Sequence, residues 1–246
     1  MSFPGVTMGN DDEVASATTA ITGTPKELLR EVVSGELPVE RFVKSADLQK
    51  RMSQPVQDLS TKLLGLAASS WQTLQERPEV AQEVAKDPFT REVKADAAIA
   101  ELLILLLHAC DRVASVTFSV ALPGQAASVL RNSFMAGLIG LAIAAFARTT
   151  YAGEEVEEQE EIQADLLHLY NTRATQYGFF PIGSAGAQDN EALFKLAGIR
   201  LAEALECPDN AEIISHGIEV VMTSLTALRE QLPLKETFGK LIAEIQ

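Results

Sequence analysis

The chain has 246 residues, 47% hydrophobic and 22% charged, which supplies apolar material for a sizeable core and excludes a disordered composition. Its 20 basic residues against 34 acidic ones give a formal charge of −14, so the mean field repels nucleic-acid backbones and anionic membrane surfaces. No run of five basic residues makes a local exception, which excludes nucleic acid as the expected partner.

Residues 1–23 are rich in Gly, Thr, Ser and Asp and lack apolar periodicity, so they are expected to form a disordered tail ahead of one all-helical domain over 24–246. Asp11, Asp12 and Glu13 stand where a secretory signal would place basic and then apolar residues, and the expected location is the cytoplasm. The first start signal is Thr24-Pro25-Lys26-Glu27, a capping box with proline at the first helical position. Leu28, Leu29, Val32 and Val33 then make an apolar face, Gly35 ends the helix, and a second short helix is expected after Pro38.

From Pro55 to Glu76 the residues Val56, Leu59, Leu63, Leu66, Trp71 and Leu74 recur at helical steps, with Pro78 as the stop. A long helix is expected from about Asp87-Pro88 through Glu101–Val113, and its run from Leu102 to Leu107, apolar on every side, belongs at the centre of the fold. Residues 116–122 alternate in a strand-like way, but no second such run exists to pair with, so helix is preferred. The next helix, Gln125 to Tyr151, contains the apolar stretch Ser133–Ala147, about 22 Å long and so short of a bilayer core of about 30 Å; it reads as a central helix of a soluble protein. Ala136, Gly140 and Ala144 line up on it at four-residue spacing, which permits close helix approach.

Gly153 precedes Glu154–Glu161, in which six of eight residues are Glu, at the start of a helix running to Tyr177. Carboxylates there suit the helix dipole and read as a solvated first turn. A loop with Phe179, Phe180 and Ile182 follows, then helices at Asp189–Glu206, Asp209–Gln231 and Leu234–Ile245. The fold class is therefore all-α: a single compact bundle of about eight helices with two nearly buried at its centre.

No glycine-rich phosphate loop, paired-cysteine metal site or nucleophile elbow occurs. Cys110 and Cys207 lie far apart in apolar helical contexts, as free, inert thiols do. His108 and Cys110 point about 200° apart around their helix and cannot make a thiolate–imidazolium pair. Two constellations carry the remaining chemistry. Glu161, Asp165 and His168 fall within about 60° of arc on the acidic helix, and with Glu101, His108 and Asp111 of the central helix they are candidate ligands for a divalent metal that would activate water or dioxygen. Against this, Lys94, Glu101, His108 and Arg112 share a narrow seam that could simply face solvent. Arg131 and Arg173 sit on apolar faces where a guanidinium needs a partner; that partner is either a carboxylate such as Asp111, or an anionic ligand bound by Arg131, Tyr170, Arg173 and Tyr177.

Lacking a convergent catalytic set, the chain reads first as a non-enzymatic binding or protein-interaction module, with a metal-dependent helical enzyme or a small anionic or apolar ligand-binding protein as the alternative. A protein partner or a second copy is the expected associate, and neither nucleic acid nor membrane is. The interaction surfaces would be the apolar face of the last helix, Phe238, Leu241, Ile242 and Ile245, or the Phe179-Phe180 loop.

Overall fold

A computed structural model describes residues 24–38, 41–42, 44–122, 124–178 and 187–245. Nine helices and no strand occur among the described residues. They are α1 (Pro25–Ser34), α2 (Ala46–Gln75), α3 (Pro78–Ala85), α4 (Arg91–Ala121), α5 (Gly124–Thr150), α6 (Val156–Tyr177), α7 (Ala187–Ala204), α8 (Ala211–Gln231) and α9 (Leu234–Ile245). The fold is all-α, as expected. The tail over 1–23, the start of the short helix after Pro38 and the Phe179-Phe180 loop lie outside the described residues.

Local signals explain several helix ends. Thr24 Oγ1 accepts the Glu27 amide while the Glu27 carboxylate takes the Thr24 amide at 2.9 Å, closing the capping box, and Gly35 ends α1 at φ 81°. Asn210 Oδ1 accepts from the Glu212 and Ile213 amides and starts α8. The end of α7 uses a side-chain-bearing residue where glycine is usual. Glu206 adopts φ 60°, with its amide bonded to the Glu203 carbonyl and the Cys207 amide to that of Ala202. The Glu206 carboxylate lies 3.3 Å from the buried Lys94 ammonium, an ion pair that offsets the left-handed backbone.

Two boundaries depart from the local reading. Pro55 does not begin α2, which starts nine residues earlier at Ala46. The ring removes the bond to the Arg51 carbonyl at a cost of about 3 kcal/mol, but Leu48 and Met52 extend the buried stripe of Val56, Leu59, Leu63, Ala67, Trp71 and Leu74, and that burial holds the extra turns in place. Pro78 likewise stops α2 but also opens α3, which buries Val80 and Val84.

Helix α4 is the hub, packed on α2, α3 and every helix from α5 to α9. Its residues from Leu102 to Leu107 are all buried, as an all-round apolar run requires. Phe118 of α4, Phe134 of α5 and Phe238 of α9 pin three helices together with ring centroids 5.3–6.5 Å apart. Phe238, Leu241, Ile242 and Ile245 are all buried, so the apolar face of the last helix is core and not a partner surface.

Helix α5 is long and apolar enough by length and composition to cross a membrane. One side of it is buried against α2, α4 and α6. The opposite side exposes Ala136, Gly137, Gly140 and Leu141, so the row of small residues seals no helix crossing: no atom of another element approaches the Cβ position of Gly140.

Candidate functional site

The polar seam of α4 does not face water. Lys94, Glu101 and His108 are 6%, 6% and 7% exposed, enclosed where α4 meets α6 and α7. The seam can be covered because α6 brings Arg173 to Glu101 and the two charges pair. Arg173 Nε lies 3.0 Å from both Glu101 oxygens, its Nη2 is also bonded to Glu101, and Nη1 reaches Gln176 Oε1 at 3.3 Å. The two side chains are 12% and 7% exposed.

Nearly three turns further along α4, Arg131 Nε donates to Asp111 Oδ1 at 2.8 Å and Nη2 donates to Oδ2, the forked geometry in which guanidinium and carboxylate fit best. Both arginines therefore hold carboxylates of the chain itself, and the cavity beside Glu101 is lined by Arg173 but not by Arg131, Tyr170 or Tyr177. Tyr170 and Tyr177 close on His108 instead. Tyr170 stacks on the imidazole at 4.5 Å and 6°, Tyr177 meets it edge-on at 5.4 Å, and Arg112 donates to the Tyr177 carbonyl.

The six candidate metal ligands divide in the same way. Glu101 and Asp111 are ion-paired, His108 is boxed between tyrosines, and Glu161, Asp165 and His168 are exposed on the outer face of α6. Helices α4 and α6 do face each other, but through Arg173, Tyr170 and Tyr177. Among the described residues no three His, Cys, Asp or Glu side chains stand close enough to hold a metal ion. Cys110 is fully buried, and burial pushes its thiol up to about 12, which keeps it an inert core group. His216, on α8, pairs with Glu79 of α3 at 3.0 Å.

Beside the Glu101–Arg173 pair the helices leave a cavity of about 400 Å³. Its walls are apolar and aromatic, with Phe146 and Tyr151 from the end of α5 and Leu166 and Leu169 from α6. Three carboxylates line it, and two are neutralised: Glu101 by Arg173, and Glu203 by Arg200 at 2.5 Å. The third, Asp96 of α4, is half-buried and has no hydrogen bond or ion pair to any described residue. Burial, reinforced by Glu92 one turn earlier, pushes its carboxyl up to about 6. Asp96 was missed in the sequence. The usable signal was a lone acid between Ala95 and Ala97 on a helix otherwise expected to be buried.

Two of these groups make opposite contributions to acid stability. Burial holds the His108 ring near a pKa of about 4 instead of 6.5, so between those values the unfolded chain binds the proton and the folded one does not. Stability falls as pH drops through that window, by roughly 3 kcal/mol at full extent. Asp96 has its pKa raised in the fold, so its contribution grows as pH falls through about 6. Urea unfolding at pH 7, 5.5 and 4.5 is expected to show a shallower acid loss for His108→Gln than for the wild type, and a steeper one for Asp96→Asn. Equal slopes in all three proteins would contradict both assignments.

Comparison with known protein families, with curated proteins and with solved structures returned no match.

Proposed function

We propose that the chain is a soluble, non-enzymatic binding protein whose cavity between α4, α6 and α7 takes a small organic cation with an apolar body. The observation that carries this reading is the unpaired Asp96 carboxylate on the wall of an apolar, aromatic cavity, in a setting where both neighbouring carboxylates already have their arginines. An ammonium group at Asp96 supplies the missing counter-charge. The Phe146 and Tyr151 rings offer π faces to the same cation or apolar area to its body, and Leu166 and Leu169 bury the rest. An anion would meet the uncompensated carboxylate, so the sign of the ligand is opposite to the one the arginines suggest from sequence.

The enzyme alternative has less support. Among the described residues no nucleophile, general base and orienting group converge on the cavity, and His108, the buried histidine of α4, is not part of its lining.

Isothermal titration at pH 7.5 with 2-phenylethylamine and, in parallel, 3-phenylpropionate tests the reading. The amine is expected to bind and the carboxylate not to. Asp96→Asn is expected to weaken amine binding at least about tenfold, roughly 1.4 kcal/mol, while leaving the melting temperature within a few degrees of wild type. Saturating amine raises the wild-type melting temperature by mass action. Equal affinity of wild type and Asp96→Asn for the amine, or tighter binding of the carboxylate, would overturn the proposal.

A further inference from the structure

The surface charge of this acidic chain is unevenly distributed, and two of its extremes match. Between α2 and α9 runs a groove of about 430 Å³, lined by the half-buried Pro55 and underlain by the core residues Leu59 and Leu241. Lys50, Arg51, Lys62 and Lys240 stand around it against two carboxylates, Asp58 and Glu244. Both carboxylates are engaged, Asp58 by Gln54 at 2.8 Å and Glu244 by Arg51 at 3.5 Å. The ammonium groups of Lys50, Lys62 and Lys240 are exposed and have no partner among the described residues. This is an excess of positive charge on a protein whose formal charge is −14.

The opposite extreme is the first half of α6 with the two residues before it. Glu154, Glu155, Glu157, Glu158, Glu160 and Glu161 are all exposed, and so is Asp165. The Glu158 carboxylate beside Glu154 holds the pKa of Glu154 above the usual range, a mark of unrelieved like-charge crowding. Exposed Val156 adds an apolar contact at the tip. Glu157, Glu160, Glu161 and Asp165 share the outer face over about 12 Å of helix, and Lys50 and Lys62 stand about 18 Å apart along α2 with Lys240 across from them, so the row of acids fits within the reach of the row of bases. Helix α6 packs on α4 and α5, not on the two helices that form the groove, so the two extremes belong to different parts of the surface.

We infer that the α2–α9 groove docks the acidic N-terminal half of α6 from a second copy of this chain. The contact is heterologous, joining one surface of a molecule to a different surface of the next, so it leaves a free groove and a free α6 at the ends and propagates into a ring or an open chain. Being carried by exposed charges, it is strong in dilute salt and screened in concentrated salt.

Sedimentation velocity over a concentration series tests this with two charge-reversed proteins. One carries Lys50→Glu, Lys62→Glu and Lys240→Glu; the other carries Glu157→Lys, Glu160→Lys and Glu161→Lys. All six sites are exposed, and circular dichroism checks that both variants keep the wild-type helix content; Lys→Gln and Glu→Gln versions serve if either reversal does not. In about 0.02 M salt, where the Debye length is about 20 Å, the wild type is expected to form species larger than dimer, and in about 0.5 M salt to revert to monomer. Each variant alone is expected to remain monomeric in dilute salt. Mixed one to one, the charge-reversed proteins are expected to assemble again beyond a dimer, because the intact groove meets the intact α6 and the reversed groove meets the reversed α6, whereas the Lys→Gln and Glu→Gln versions mixed one to one are expected to stop at a dimer. A wild type that stays monomeric in dilute salt overturns the inference, as does continued assembly by either variant. Assembly that persists in 0.5 M salt would belong to the uncharged face of α5 and would overturn it too, and a monomeric wild type whose groove binds an acidic peptide would assign the groove to another protein.

Discussion

Arg173→Ala is expected to destabilise the fold by about 3–5 kcal/mol, on the order of 10 °C in melting temperature for a domain of this size. The loss does not measure the attraction between the charges. Glu101 is 6% exposed, and without the guanidinium its carboxylate is left in the interior between α4 and α6 with no counter-charge. Glu101→Gln leaves the converse problem but a smaller one, since Arg173 is nearer the surface and keeps Gln176 as an acceptor. The decisive comparison is the double variant Glu101→Leu with Arg173→Leu, which removes both charges and fills the space with apolar groups. It is expected to be more stable than Arg173→Ala and within about 2 kcal/mol of the wild type, because buried pairs replaced by packed apolar residues cost little. Chemical denaturation of the four proteins reads these differences. If Arg173→Ala unfolds within about 1 kcal/mol of wild type, the guanidinium is solvated and the clip between α4 and α6 contributes nothing.

The need for that clip was legible in the sequence, but its partner was not. Arg173 shares a face with Leu166, Leu169 and Tyr170, so a charge needing either a carboxylate or an anionic ligand as partner followed from one helix alone. Which carboxylate depends on how two helices cross, and Glu101 lies 72 residues away. Angular arguments on a single helix group side chains by face and cannot say what covers the face. The α4 seam shows this in one direction: read alone it could face water, and α6 and α7 bury it. Helix α5 shows it in the other. Its composition is apolar on every side, so no face could be assigned, and only the packing of α2, α4 and α6 reveals that Ala136 and Gly140 point outward. Caps and cores fared better because their causes are local. The Thr24–Glu27 box needs four consecutive residues, and a run like Leu102–Leu107 has no polar side to present. Pro55 marks the limit of local rules, since the residues that carry α2 through it act by burying Leu48 and Met52 against other helices. For Asp96 the sequence offers only its place between two alanines on a buried helix, because its chemistry comes from the aromatic and aliphatic walls that α5 and α6 put around it.

Gly198→Ala reverses the sign that helix propensity alone assigns. In the interior of a helix, alanine is favoured over glycine by about 1 kcal/mol, so four helical glycines, Gly65, Gly140, Gly198 and Gly217, would all be expected to gain from the change. At Gly65 and Gly140 no other element approaches the Cβ position, and the expected gain is about 0.5–1 kcal/mol each. At Gly198 a Cβ would stand 2.7 Å from the Ile218 side chain, 2.8 Å from the Ile214 carbonyl oxygen and 3.1 Å from the Ile218 amide nitrogen. Backbone cannot rotate aside, so α7 and α8 must separate along their whole contact, and the expected result is a net loss of about 2 kcal/mol. Gly217 faces Gly198 across the same crossing, with its Cβ position 3.2 Å from the Gly198 Cα and carbonyl oxygen, so Gly217→Ala is expected to lose less and the double variant to lose less than the two singles added, since one separation of the helices accommodates both methyl groups. Thermal unfolding of the four single variants and the double one reads these signs directly. A stabilised Gly198→Ala would mean that α7 and α8 do not approach backbone to backbone, and the packing that places Glu203 and Arg200 beside the Asp96 cavity would have to be redrawn with it.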